Sequence, residues 1–125
     1  MEMHYLPGFN TIIGGTRIFP RWAKVNAQLE GNYWNELARA IKASKGTIEA
    51  FVWFQGENDT FDVDASNHYL GNLTQFVSDV RDEIFMYDDM DKFASVDDIP
   101  VVIVELGMWR YGTKVIDAQR EYVKR

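Results

Sequence analysis

The chain has no cysteine. That excludes a disulfide framework, a thiolate nucleophile and any cysteine-bound metal. Histidine is almost as scarce, with only His4 and His68 present, so an imidazole base has two candidates at most. The 13 basic residues are outnumbered by 19 acidic ones, for a formal net charge of -6, and they form no cluster. A nucleic acid or an anionic membrane surface is therefore not the expected partner. No window approaches the roughly 20 consecutive apolar residues of a membrane-spanning helix. Residues 1–10 show no positively charged start followed by an apolar stretch. With three prolines, nine glycines and no repeat or low-complexity tract, nothing divides the chain, and 1–125 reads as a single domain.

What is present alternates between two periodicities. Thr11-Ile12-Ile13 is a short β-branched run that stops at Gly14-Gly15, a dipeptide that permits a tight turn or close backbone approach to a ligand. Trp34, Leu37, Ala38 and Ile41 recur at helical spacing, with Gly46 as the stop. Residues 48–54 are almost uninterrupted by polar side chains, which predicts a central parallel strand covered on both faces. Tyr69, Leu73, Phe76, Val77, Val80 and Ile84 then mark the clearest helix, with Asp64 or Ser66 as its N-cap. An acidic loop over 87–98 leads through Pro100 into a second buried strand at 101–106, closed by Gly107. A last helix over 115–124 carries Ile116, Gln119 and Val123 along one side. Strand, helix and strand in this order form a crossover unit and predict an α/β fold.

The chemistry concentrates where the first long strand ends, in Phe51-Val52-Trp53-Phe54-Gln55-Gly56-Glu57-Asn58-Asp59. In an open parallel sheet ligands bind outside the carboxyl ends of the strands, where Gln55, Glu57 and Asp59 fall. A side-chain amide there is suited to donate to the oxygen that becomes anionic when an ester carbonyl is attacked, a contribution of about 3 to 4 kcal/mol. Gly56 brings the next carboxylate close without Cβ crowding, so Glu57 is placed to hold a histidine in its working tautomer. The same Gln-Gly-Glu turn also reads as an ordinary polar loop after a buried strand.

Several of these features occur together in a known family. Gly14-Gly15-Thr16 followed by Trp22, and the block from Trp53 to Asp59, resemble the sialate O-acetylesterase and acetylxylan esterase branch of the SGNH hydrolases, a carbohydrate esterase family. Arg81 near the end of the long helix, the Pro-led strand from Pro100 and Ala118-Gln119 fit the same pattern. The resemblance spans roughly residues 12–122, and Trp-x-Gln-Gly-Glu-x-Asp is its specific part. It implies an incomplete, flavodoxin-like three-layer α/β/α sandwich with a parallel sheet. It also implies a serine esterase that removes acetyl groups from sugars through an acyl-enzyme, with no cofactor and no metal. A backbone N–H at Gly14 or Gly15 and the Gln55 side chain would supply oxyanion-hole donors, and Glu57 would orient the histidine. Asp59, Asn58 and Trp22 would lie toward the substrate. For Asp59 a carboxylate that caps the turn is an equal alternative, and for Trp22 and Trp53 core packing is the stronger one.

The family's nucleophile sits in a Gly-Gln-Ser-Asn block before the glycine motif and its histidine in an Asp-x-x-His block near the C-terminus, and neither block occurs here. Ser44, Ser66, Ser78 and Ser95 fall in helices, caps or loops, and His4 and His68 read as surface residues. The expectation is a partial domain, nearly inert alone, cut from a longer esterase and left with an exposed sheet edge. The alternative is a natural remnant that keeps the cleft to bind carbohydrate. Other chemistries fit less well. Asp59, Asp62 and Asp64 lack the glycine and terminal glutamate of a calcium loop. The acidic run at Asp88 reads as solvated charge, and Gly14-Gly15 lacks the Gly-Lys-Ser/Thr of a phosphate loop. Glu57 with Glu105 is the single carboxylate pair that could face a sugar for glycoside hydrolysis.

Overall fold

The computed structural model describes residues 16–56, 58–105 and 113–124. The Thr11-Ile12-Ile13 run, Gly14, Gly15, Glu57, Leu106 and Gly107 lie outside the described residues. Among the described residues three helices and two strands make up the frame, in the order α1 (Trp34–Ser44), β1 (Phe51–Trp53), α2 (Val63–Met86), β2 (Val101–Ile103) and α3 (Lys114–Lys124). Short 3-10 turns at Lys24–Asn26, Asn58–Phe61 and Val96–Asp98 punctuate the connections.

Each helix boundary has a local cause. At the start of α1 the Asn32 side chain accepts from the Asn35 N–H at 3.3 Å, filling one of the donors that a helix start leaves open. The helix ends where Lys45 turns left-handed at φ 50°, and Gly46 continues at φ 86°. A Cβ at Gly46 would stand 2.7 Å from the backbone nitrogen of Asp89, so both conformation and space require glycine there. The N-cap of α2 is Asp62, not the expected Asp64 or Ser66. Asp62 has extended backbone and its carboxylate accepts from the Ala65 N–H at 3.0 Å, the arrangement that fixes a helix start. Asp64 instead lies in the first turn, where a negative charge suits the helix dipole, and Ser66 turns its hydroxyl toward Asp59.

The strands run parallel in the register Phe51↔Val101, Val52↔Val102 and Trp53↔Ile103, joined through α2. Phe51 N–H donates to the Pro100 carbonyl and Val104 N–H to the Trp53 carbonyl, each at 2.9 Å. The arrangement is α/β. Among the described residues the ladder is shorter than the apolar runs suggested, and it is not covered on both faces. Val52 and Val102, register partners, share the face away from Phe51 and Trp53, and Val102 is 50% exposed. Hydrophobic composition alone does not supply a second helical layer to cover that face.

The covered face packs on α2. Phe76 stands at the centre of an aromatic cluster, with its ring centroid 4.4 Å from Trp53, 6.0 Å from Phe51, 6.1 Å from Trp22 and 6.2 Å from Trp34. The Trp22 and Trp34 contacts are edge-to-face, the arrangement that the ring quadrupoles favour. Tyr69, Leu73, Val77, Val80 and Ile84 extend the same buried stripe, as their spacing predicted. Arg81 closes the far end. Its Nε donates to the Ile99 carbonyl at 3.1 Å, and its guanidinium also reaches the Tyr122 hydroxyl on α3. On α3 the buried set is Val115, Ile116, Ala118 and Gln119, whereas Val123 is exposed. The helix buries the side that meets α2, and Val123 is not on it.

Phe76→Ala would empty the middle of this cluster and should destabilise the fold by about 3–5 kcal/mol. Denaturant unfolding measures the loss, and a change below about 1 kcal/mol would show that the rings do not act as one packed unit.

Candidate functional site

β1 ends at Trp53, and the chain leaves the sheet through Phe54, Gln55 and Gly56 into the turn at Asn58–Phe61. Gln55 does not project into solvent. It is buried, and every polar atom of its side chain is engaged. Nε2 donates to the Thr16 carbonyl at 2.8 Å and to Asp59 Oδ2 at 2.5 Å, while Oε1 accepts from the Tyr69 hydroxyl at 3.0 Å. The Gln55 backbone carbonyl lies within reach of the same hydroxyl at 3.2 Å and accepts from Gln119 Nε2 at 3.0 Å. Four separate parts of the chain thus meet at one residue.

Gly56 is shaped by that convergence. Its φ of 135° suits glycine, and a Cβ there would stand 3.0 Å from Val115 Cγ1 and 3.3 Å from both the Gln119 amide and the Tyr69 hydroxyl. The sequence reading assigned Gly56 to carboxylate placement. The geometry adds that α2 and α3 close over this glycine.

Asp59 is 1% exposed. Its carboxylate accepts from the Ile18 N–H at 3.2 and 3.4 Å and from Gln55 Nε2, and its own carbonyl accepts from the Ser66 hydroxyl at 2.8 Å. Loss of water around the carboxylate pushes its pKa up to about 6, although the Gln55 amide, the Ile18 N–H and the Arg17 charge all favour the ionised form. Asp62 shifts the other way, lowered chiefly by the Ala65 N–H. Asp64 is the neighbour of the His68 ring at 3.3 Å. The three aspartates therefore serve three different partners, and among the described residues no cluster of three or more His, Cys, Asp or Glu side chains could hold a metal ion.

Trp22 lies in the core, packed edge-on against Trp53 at 5.1 Å, with its indole N–H donating to Thr16 Oγ1 at 3.0 Å. Asn58 is half-buried at the head of the turn. Gly14, Gly15, Glu57 and His4 lie outside the described residues. His68 is exposed on α2. Ser44 donates to the Ile41 carbonyl, Ser78 is exposed, and Ser95 closes a capping box with Asp98. Glu105 is held by Arg120, with its Oε1 2.5 Å from one guanidinium nitrogen and 2.8 Å from Nε.

Two residues of the cluster were not singled out as functional from sequence. Tyr69 reads as one more member of an apolar stripe and Gln119 as a position on a helix side, yet both place their polar heads on Gln55. The available signal was a hydroxyl-bearing ring in an otherwise apolar stripe and an amide at a core-facing helix position, since buried polar groups need partners.

A family model described as carbohydrate esterase, sialic acid-specific acetylesterase, matches residues 9–124. The chain belongs to this family. No curated protein and no solved structure matches it. The matched region of this acetylesterase-family chain takes in the tip of β1, the 16–18 segment bonded to it, and both helices that close over Gly56. No helix among the described residues is long and apolar enough to cross a membrane.

The raised pKa of Asp59 sets a pH dependence. The unfolded chain ionises near 3.8 and the folded one near about 6, so the contribution of the protonated acid is fully present below 3.8 and is lost as pH rises through 6. Relative to Asp59→Asn, the wild-type protein should lose up to about 3 kcal/mol across that window. Unfolding free energies measured at pH 3.5, 5 and 7.5 test this, and a constant difference between the two proteins would refute it.

Proposed function

We propose that this chain forms the oxyanion side of a serine acetylesterase site that acts on O-acetylated sugars. One observation carries the reading. The segment that follows Gly14-Gly15 in sequence is bonded through Thr16 to Gln55, just past the end of β1, and through Ile18 to Asp59 in the next turn, so it is tied to both ends of the Gln-Gly-Glu-x-Asp block. In such a site a serine oxygen attacks the acetyl carbonyl and its proton passes to an imidazole. The sugar leaves as an alcohol, and water then releases acetate from the acyl-enzyme. A backbone N–H at Gly14 or Gly15 meets the charge that develops on the carbonyl oxygen, Gln55 supports that donor from behind, and Glu57 holds the imidazole. Of the three residues assigned toward the sugar, Asn58 is the least buried. Asp59 and Trp22 support the wall behind it.

The nucleophile in this reading is none of the four serines here. Ser44, Ser66 and Ser95 are hydrogen-bonded to backbone or carboxylate groups, and none of these bonds is to a histidine. These 125 residues taken alone should therefore retain no more than the roughly 10³ to 10⁴-fold acceleration that an oxyanion hole and binding supply without a nucleophile.

The native protein, isolated with every residue to which this chain is joined, should release acetate from an O-acetylated sialic acid. A fluorophosphonate probe should label a serine other than Ser44, Ser66, Ser78 or Ser95. Glu57→Gln should lower kcat by about 10⁴-fold, the loss seen when the group that orients a triad histidine is replaced by its amide. Label on one of these four serines would refute the assignment. Tight sugar binding with no acetate release would favour the non-catalytic binding module.

A further inference from the structure

The 16–18 segment is fastened from three sides. Thr16 gives its carbonyl to Gln55 and its hydroxyl oxygen to the Trp22 indole N–H, and Ile18 gives its N–H to Asp59. The two ends of the Gln55 amide are alike in shape, so its orientation is set by what surrounds it. The Thr16 carbonyl only accepts, and an ionised Asp59 only accepts, so Nε2 faces both and Oε1 is left to the Tyr69 hydroxyl. That uses both hydrogens of the amide. A side chain with no hydrogen left to donate is a poor direct partner for a substrate oxygen and a good strut.

We propose that Gln55 and Asp59 are positioning residues, which hold the Thr16–Ile18 segment, the continuation in sequence of the Gly14-Gly15 motif, against the end of β1 and the turn that follows it. The catalytic part of this proposal rests on the esterase reading above; the latch itself does not. Asp59 is its anchor, because its carboxylate joins the segment and the amide in one contact. A proton on Asp59 removes an acceptor and adds a donor, and the amide then loses one of the two acceptors that fix it. The charged group that acts on Asp59 from the 16–18 segment is Arg17, itself paired with Asp62 at 3.4 Å. The β1 tip contributes the neutral Gln55, α2 the neutral Ser66 and Tyr69, and α3 the neutral Gln119, bonded to the Gln55 carbonyl.

The test uses amide and indole resonances of ¹⁵N-labelled protein followed through pH. The Ile18 amide and the Gln55 side-chain amide should move with one shared midpoint near about 6, and the Trp22 indole should follow through Thr16. Thr16→Val assigns that indole, and Asp59→Asn should flatten all three curves. Ile18 and Gln55 resonances with no shared transition, or with one retained in Asp59→Asn, would overturn the latch. Kinetics of the native protein test the positioning role. Asp59→Ala and Gln55→Ala should each lower kcat by about 10²-fold with KM little changed, and the double variant should lose no more than either single one. A silent Asp59→Ala beside a large Gln55→Ala loss would make Gln55 a direct oxyanion donor and end the positioning role. Wild-type protein that releases no acetate would instead overturn the esterase reading, while the resonances still decide the latch.

Discussion

A carboxylate taken out of water must be met by donors, and in this chain that requirement gathers the site. Asp59 is almost wholly buried, and the groups that answer it come from the 16–18 segment and from the end of β1. The α2 helix adds the Ser66 hydroxyl on the neighbouring carbonyl. Buried polar groups left unpaired are costly, so the elements that carry these donors are not free to move independently. The raised pKa of Asp59 shows that the donors do not fully offset the lost hydration. A network that tolerates such a cost fixes one arrangement of its members more firmly than apolar packing would.

Beneath that cluster lies a conventional apolar one. Phe76 brings the rings of Trp22, Trp34, Phe51 and Trp53 together, and α2 carries it. The helix therefore has two tasks along its length. Its first turns hold Ser66 against the turn that contains Asp59 and Tyr69 against Gln55, and its middle supports the sheet. Arg81 extends the support to β2 and α3 by binding the Ile99 carbonyl and the Tyr122 hydroxyl. Trp22 joins the two clusters, because its ring packs in the core while its N–H holds Thr16.

For function, the family assignment and the geometry address different parts of the question. The family match relates the chain to the carbohydrate esterases, a family described as sialic acid-specific acetylesterases. The geometry shows a strand tip whose polar atoms are turned inward, to fasten a neighbouring segment, and not outward toward solvent. An oxyanion hole made from backbone needs this kind of support, since preorganised donors work only if they do not relax when charge develops.

Much of this was legible in the sequence. The 3.6-residue recurrence from Tyr69 to Ile84 determined the long helix, because a helix must bury one apolar stripe. The apolar runs ending at Gln55 and led by Pro100 determined two parallel strands around it, and the Trp-x-Gln-Gly-Glu-x-Asp block determined the family. Strand lengths and the exposure of Val102 were not legible, since an apolar run records what a residue tolerates and not which layer lies above it. The N-cap was displaced to Asp62 for a related reason: Asp62, Asp64 and Ser66 can all cap, and backbone geometry selects among them. Only the tertiary structure decided what Gln55 and Asp59 touch. Their partners Thr16, Ile18, Tyr69 and Gln119 lie 14 to 64 residues away along the chain, and such hydrogen bonds depend on distance in space, which sequence spacing does not contain.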